Sequence, residues 1–518
     1  MILVLPVLLL LAGAAMIGLL RRTSGFYLWV VALASIFLGW LSLLLNSGGQ
    51  AGPIDLSVWR PEPLFSAELV LGLGTTQWSV VYAAMTLLMA LVLTAPARDG
   101  KEHATDWAIL LVYGAFSLLA MMAGNLLTLS LLLIMLDVGA FVFILPRAQA
   151  DRSGQQAILK LGVESVGVLL LLTAGLVATL GQGGRDVSLR EARAIDLVFA
   201  LGVILRIGIA PLPLGLPAAS APRRGIGALM RLLPPAIIML QVGNQWPAGV
   251  AAPLQGWIVV IGAITALAAG VAWAFKLVPL EARAQLVACA AGLALVATST
   301  GANTAQGMSA IAVLMMFAGG MASVAEVHTP FHRIWPAMLA VTCLGLPLTP
   351  AGSFLRGFPT GGSGLLVAGV AGIGLGLLAA GVGLMTLMAG TPWMRSEGYS
   401  RLLFGVGLAL FPIAAVGYGL RLGLDVSVTG AIGLGASLAT AAIVIVVRRR
   451  RLEAGIRRVE RIVGWLDAEP LLRGALRLYR DVLGIAGGVG YAIEGEGTFL
   501  WVMALAAVAA ALLAGMSG

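Results

Sequence analysis

The sequence predicts an all-α polytopic membrane protein of about sixteen transmembrane helices. Three observations carry that prediction. Of the 518 residues, 60% are hydrophobic and only 11% are charged, whereas about a quarter of the residues in soluble domains are charged. The apolar residues form continuous runs, not the alternating segments of about ten residues that build a β-barrel. The loops between the runs are alternately rich and poor in arginine and lysine, which is the charge signature of successive membrane crossings.

The runs fall at 2–20, 26–45, 79–93, 107–122, 126–145, 161–180, 195–210 and 227–242, then at 257–273, 284–297, 308–324, 336–355, 365–389, 402–420, 426–447 and 498–516. The first closes on Arg21 and Arg22, and a long loop holding Asp55, Arg60, Glu62 and Glu68 follows the second. One alternate set of loops contains Arg21, Arg22, Arg98, Lys101, Arg147, Arg152, Arg223, Arg224, Lys276, Arg283, Arg333, Arg395 and Arg401, and receives Arg448 to Arg451. The other holds only Arg60, Arg185, Arg190, Arg193 and Arg421. The positive-inside rule places the first set in the cytoplasm and both termini on the outer side of a bacterial or archaeal-type inner membrane.

Between the last two runs, Leu452, Ile456, Val459, Val463 and Leu466 recur at helical spacing among Arg457, Arg458, Glu460 and Arg461. The pattern resumes after Pro470 at Leu472, Leu476, Tyr479 and Leu483. This reads as an amphipathic helix over 448–490, lying on the cytoplasmic surface and bent at the proline, against anionic lipid or a partner subunit. The net charge of +9 is distributed over the short loops; topology accounts for it, and no nucleic-acid partner is expected. Cys289 and Cys343 stand in apolar runs without CxxC spacing or a nearby histidine, so they read as buried small hydrophobes, with no metal site. No glycine-rich phosphate loop, haem motif or iron–sulfur cysteine cluster is present, so no catalytic residue and no cofactor is expected.

Charges within the runs are the candidate functional residues, because an ionisable group at membrane depth is costly and commonly faces a polar path. Asp137, in LLLIMLDVGAFVFIL, is too short to reach the interface and must be neutral, paired or solvated inside the bundle. Arg206 stands in LRIGIAPLPLGLP, just before Pro211 and Pro213. It fits either a buried functional cation beside a proline-broken helix or an arginine snorkelling at a helix end. Glu164 follows Lys160 by four residues, the spacing of a local helical ion pair. Arg356 follows Pro347 and Pro350 in GLPLTPAGSFLRGF, again either interfacial or functional. The seventh and twelfth spans thus share a helix interrupted by prolines with an arginine nearby. Five spans separate them, as two inverted five-helix repeats would require, and paired breaks of this kind point to an ion path near the midplane.

These stretches resemble the antiporter-like, proton-translocating membrane subunits of respiratory complex I, membrane-bound hydrogenases and multi-subunit sodium/proton antiporters. NLLTLSLLLIMLD resembles the family's fifth helix and places Asp137 at its membrane glutamate. LRIGIAPLPLGLP resembles the seventh helix and the turn after it, with Arg206 at the family's lysine. RIWPAMLAVTCLGLPLTPAGSFLRGF resembles the twelfth, with Arg356 near its terminal charge. The resemblance implies repeats over 105–245 and 255–392, flanked by spans over 1–104 and 393–447, a lateral surface helix over 448–490 and a last span over 491–518. It also implies a proton-translocating NADH–quinone oxidoreductase or hydrogenase in which this chain holds no redox centre and packs against antiporter-like paralogues and lipid. The alternatives are a non-pumping scaffold subunit of such a complex and a stand-alone secondary ion transporter. The departures fall on the proton path. Arg231 is the only cation near the family's central lysine of the eighth helix, and the eleventh run offers no titratable group.

Overall fold

A computed structural model describes residues 4–45, 51–55, 70–95, 104–144, 152–181, 189–209, 221–245, 252–275, 279–324, 330–387, 398–423 and 427–449. The surface helix expected over 448–490 and the last span lie outside that set, apart from Arg448 and Arg449.

Among the described residues the chain forms sixteen α-helices: α1 (Leu5–Leu19), α2 (Gly25–Leu45), α3 (Thr75–Thr94), α4 (Ala104–Met121), α5 (Leu126–Ile144), α6 (Arg152–Gly181), α7 (Leu189–Arg206), α8 (Ala221–Gln245), α9 (Ala252–Phe275), α10 (Pro279–Val296), α11 (Thr304–Val324), α12 (Pro330–Cys343), α13 (Pro350–Arg356), α14 (Gly362–Leu384), α15 (Gly398–Leu422) and α16 (Val428–Arg449). Eleven of the described helices are long and apolar enough to cross a membrane, and Leu5–Leu19 and Leu161–Val177 are shorter apolar helical stretches. This is a multi-pass membrane protein.

The helices sort by what their surfaces are made of. α11 is the centre: every residue of its apolar window is buried, and it packs on α8, α3, α10, α13 and α15. Small residues make that possible. A Cβ on Gly319 would meet Leu232, and one on Gly320 would run into Leu87 and Phe411, so the neighbouring helices close onto bare backbone. In lipid, where apolar burial gives no net drive, this close van der Waals contact is what holds helices together. By contrast α1, α5, α9 and α16 leave Leu8, Met135, Val142, Trp257, Ile264 and Ile443 well exposed, as a lipid-facing surface should. Cys289 and Cys343 are buried free thiols.

Two features depart from the sequence reading. The first outer loop is not wholly irregular. β1 (Ala51–Asp55) pairs antiparallel with β2 (Val70–Leu73), with Ala51 opposite Leu73 and Asp55 opposite Val70. Gly72 N–H donates to Met122 O at 2.7 Å, fastening the hairpin onto the end of α4. Gly52 and Pro53 in β1 mask the strand signal, since neither favours a ladder. The expected twelfth span is two helices, α12 and α13, separated by a turn over 344–349. Arg60, Glu62 and Glu68 lie outside the described residues.

Candidate functional site: a buried ion cluster at the end of α7

Asn125 starts α5. Its side-chain Oδ1 accepts from Thr128 N–H at 2.8 Å and its carbonyl from Leu129 N–H at 3.1 Å, which is an N-cap. Capping there fixes where α5 begins: Asp137 lies twelve residues on, about 18 Å along the axis, well inside a helix that runs to Ile144. α6 and α7 then cross at two glycines. A Cβ on Gly167 would stand 3.2 Å from Gly202 O, and one on Gly202 would stand 3.1 Å from Gly167 O. That crossing brings Glu164, one turn before Gly167, alongside Arg206, one turn after Gly202.

α7 stops at Arg206. Ile207 N–H still reaches Val203 O at 2.8 Å, but Gly208 takes φ +91°, the left-handed conformation in which glycine ends helices. A Cβ there would also lie 2.8 Å from Val287 Cγ1. The last α-helical residue is therefore followed by a left-handed glycine, ahead of either proline. Pro211 and Pro213 themselves lie outside the described residues. Ending there places the guanidinium in the last turn, where the helix dipole favours a cation.

Three charged side chains from three helices meet at this point. Arg206 Nη2 donates to Asp137 Oδ1 at 2.7 Å, a salt bridge across 69 residues of sequence. Arg206 Nη1 stands 3.8 Å from Glu164 Oε2. The Arg206 side chain is 0% exposed, Asp137 10% and Glu164 18%, so Arg206 does not snorkel and the pairing is internal. Among the described residues Arg206 Nε and Nη1 have no hydrogen-bond partner. Tyr113, buried on α4, lies within electrostatic range of all three charges. Sequence reasoning missed it, because a lone tyrosine in an apolar run carries no distinguishing signal.

The remaining candidates stand elsewhere. Lys160 is in α6, its side chain outside the described set. Arg231 is in α8, and its Nε has no hydrogen-bond partner among the described residues. Arg356 ends α13 and donates through Nη1 to Gly423 O at 3.1 Å, tying the end of α13 to the end of α15. Its first role here is therefore to cap a helix terminus. Pro347 and Pro350 frame the second break. Gly345 has φ +88° and Leu348 φ +64°, an uncommon conformation for a leucine. Thr349 caps α13 by accepting from Gly352 N–H at 3.1 Å, and Pro350 occupies the first turn. Among the described residues no three His, Cys, Asp or Glu side chains gather to hold a metal ion.

Chemically the cluster is two carboxylates around one guanidinium. The guanidinium is a fixed charge, since arginine does not deprotonate in proteins; only the carboxylates can exchange a proton. The geometry depends on the α6–α7 crossing, which gives a direct test. Gly202→Leu is expected to destabilise the solubilised protein by about 1–3 kcal/mol through overpacking. Gly162→Leu is the control, because a Cβ at Gly162 meets nothing within 4 Å. Equal thermal stabilities for the two variants would refute the close crossing.

No protein-family model matches the chain, and no curated protein matches it in sequence. Solved structures do. Over its whole length the chain superposes on a chain of the Mrp complex from Dietzia sp. DQ12-45-1b with a TM-score of 0.71 at 16% identity, spanning 63% of that longer chain. A chain of the membrane-bound sulfane sulfur reductase, an archaeal respiratory membrane complex, matches 98% of this chain and 99% of its own length, with a TM-score of 0.60 at 15% identity. A chain of respiratory complex I from Thermus thermophilus matches 85% of this chain and 99% of its own length, with a TM-score of 0.62 at 16% identity. The fold is thus that of large membrane subunits found in these three assemblies.

Proposed function

We propose that this chain is a membrane-arm subunit of an energy-converting complex, of the complex I-like NADH–quinone oxidoreductase or related hydrogenase type, and takes part in proton translocation along a partly degraded path. The observation that carries this reading is the buried Asp137–Arg206 ion pair, with Glu164 at its side, at the point where α7 ends inside the bundle. With both carboxylates ionised the cluster carries one net negative charge. A single added proton makes it neutral, the state that low-dielectric surroundings tolerate best. Arg206 serves as the fixed counter-charge, and Asp137 or Glu164 accepts and releases the proton. Nε and Nη1, which make no hydrogen bond among the described residues, are the donors through which water would join the cluster to its surroundings.

In this reading the chain packs against antiporter-like paralogues and lipid in a bacterial or archaeal-type inner membrane, with both termini outside. Its five-helix repeats span 105–245 and 255–392. A second reading, a non-pumping scaffold of the same kind of complex, is favoured by α11. This central helix, TAQGMSAIAVLMMFAGGMASV, carries no titratable side chain, so nothing on it can hand a proton across the middle of the molecule.

One experiment separates the two. The chain is purified from native membranes in mild detergent, co-eluting subunits are identified by mass spectrometry, and Asp137→Asn is compared with the unmodified complex for proton uptake into inverted vesicles. Pumping is expected to fall while the complex stays assembled. Full pumping by an assembled Asp137→Asn complex favours the scaffold, and a chain that elutes without partner subunits refutes membership of a membrane arm.

A further inference from the structure

α2 and α15 both pack on α3, and the contacts are close because glycines permit them. Gly39 of α2 faces Met85, and Gly407 of α15 faces Ala90 O and Leu93. Between the two outer helices a cleft of about 470 Å³ runs over the surface of α3. It is lined by Val30, Phe37 and Trp40 on α2, Thr86 and Leu93 on α3, and Val406 on α15, among other apolar residues. Val30 is 39%, Phe37 48% and Val406 44% exposed, so the cleft opens sideways, toward lipid. Among the described lining residues the polar side-chain groups are already occupied: Thr86 Oγ1 donates to Tyr82 O at 2.9 Å and accepts from Trp40 Nε1 at 3.2 Å. The walls thus present no free polar group to an occupant.

The two ends differ. Toward the α2 C-terminus the lining residue Trp40 belongs to an aromatic stack. Trp40 lies 5.9 Å from Tyr82, which stacks on Trp78 at 5.3 Å, and the Arg421 guanidinium covers Trp78 at 3.9 Å. Arg21 and Arg22, just before α2, and Arg401, at the start of α15, are all exposed. They stand at the other end of the bundle, because α2 and α15 both run antiparallel to α3: Trp29 Nε1 donates to Val92 O and Trp40 Nε1 to Thr86 Oγ1, while Gly407 faces Ala90 and Arg421 covers Trp78. From the start of α2 at Gly25 to Trp40 is about 22 Å of helix, and Val30 to Trp40 about 15 Å. The second figure is half of a hydrocarbon layer about 30 Å thick. A groove of that depth is too short for a partner's transmembrane helix, which needs the full thickness, and fits an acyl chain of one leaflet.

From this shape and the charges at the α2 N-terminal end we infer that the α2–α3–α15 cleft binds an anionic phospholipid, one acyl chain in the groove and the phosphate between Arg21, Arg22 and Arg401. The apolar walls hold the chain, and the arginines, exposed and screened by salt, together favour an anionic headgroup several-fold.

The test uses the membrane-extracted full chain in nanodiscs containing phosphatidylglycerol with a diazirine in one acyl chain, or the matching phosphatidylcholine. Cross-linked peptides are mapped by mass spectrometry. Labelling is expected on the stretches around Val30–Phe37, Leu93 and Val406, several-fold stronger with phosphatidylglycerol. Ala34→Trp, which fills the cleft, is expected to abolish it. The surface variant Arg21→Gln/Arg22→Gln/Arg401→Gln, which leaves the packed interior untouched, is expected to bring the two lipids to equal labelling. Equal labelling of the unmodified chain by both lipids overturns the headgroup assignment. Labelling elsewhere, or protection of the cleft by a co-purifying subunit, overturns the site.

Discussion

Arg206→Leu is expected to lower the stability of the detergent-solubilised protein by about 3–5 kcal/mol, the cost of leaving a buried charge without its partner. The carboxylate it strands is Asp137, whose Oδ1 accepts from Arg206 Nη2 at 2.7 Å and whose side chain is only 10% exposed. Glu164 loses its neighbouring cation at the same stroke. The double variant Asp137→Leu/Arg206→Leu is expected to recover most of the loss, because an apolar pair of similar volume replaces a buried ion pair at little or no net cost. Arg206→Lys is expected to fall between, since an ammonium supplies charge without the planar fork that reaches two carboxylates at once. Thermal unfolding followed by tryptophan fluorescence measures all three. A double variant no more stable than the single would show that Asp137 and Arg206 are not energetically coupled.

Gly419→Val is expected to be damaging by a different route, overpacking that costs about 1–3 kcal/mol. Gly419 lies on α15 where that helix passes the turn between α12 and α13, and a Cβ added there would overlap the carbonyl of Leu348. The obstacle is backbone, so no side-chain rotation relieves it. Leu348 already sits at φ +64° between Gly345 and Thr349, so the turn has little freedom to retreat. The change is expected to push α15 off the break and weaken the Arg356–Gly423 tie of 3.1 Å. Gly417→Ala, two residues earlier and facing open space, is the control and is expected to be neutral or slightly stabilising, since alanine favours helix over glycine. Matching unfolding temperatures for Gly419→Val and Gly417→Ala would refute the close approach.

The membrane class and most of the helices were legible in the amino-acid order, because each is a one-dimensional property. A run of about twenty apolar residues spans a bilayer whatever packs beside it. A short carboxylate in the middle of such a run, as at Asp137, cannot reach water by itself. The end of α7 was legible too, though through a different residue: Gly208 shortly before Pro211 is a helix stop, and the prolines drew attention away from it.

Partnership was not legible. Asp137 and Arg206 are 69 residues apart, and their meeting depends on which helices are neighbours and how each is rotated. The rotation of α6 against α7 is set by bare backbone at Gly167 and Gly202, yet glycines are so frequent in this chain, 68 of 518, that the pair cannot be picked out by eye. The same holds for Tyr113 beside the cluster and for Arg356, whose partner is a carbonyl at the end of another helix. The sequence by itself determined that this is a many-helix membrane protein with a carboxylate inside one apolar run and a guanidinium near the end of another, since hydropathy and chain length decide that locally. Only the tertiary structure decided that the two neutralise each other with Glu164 alongside, because helix adjacency in lipid is chosen by close packing between distant segments, and no local property of the chain encodes it.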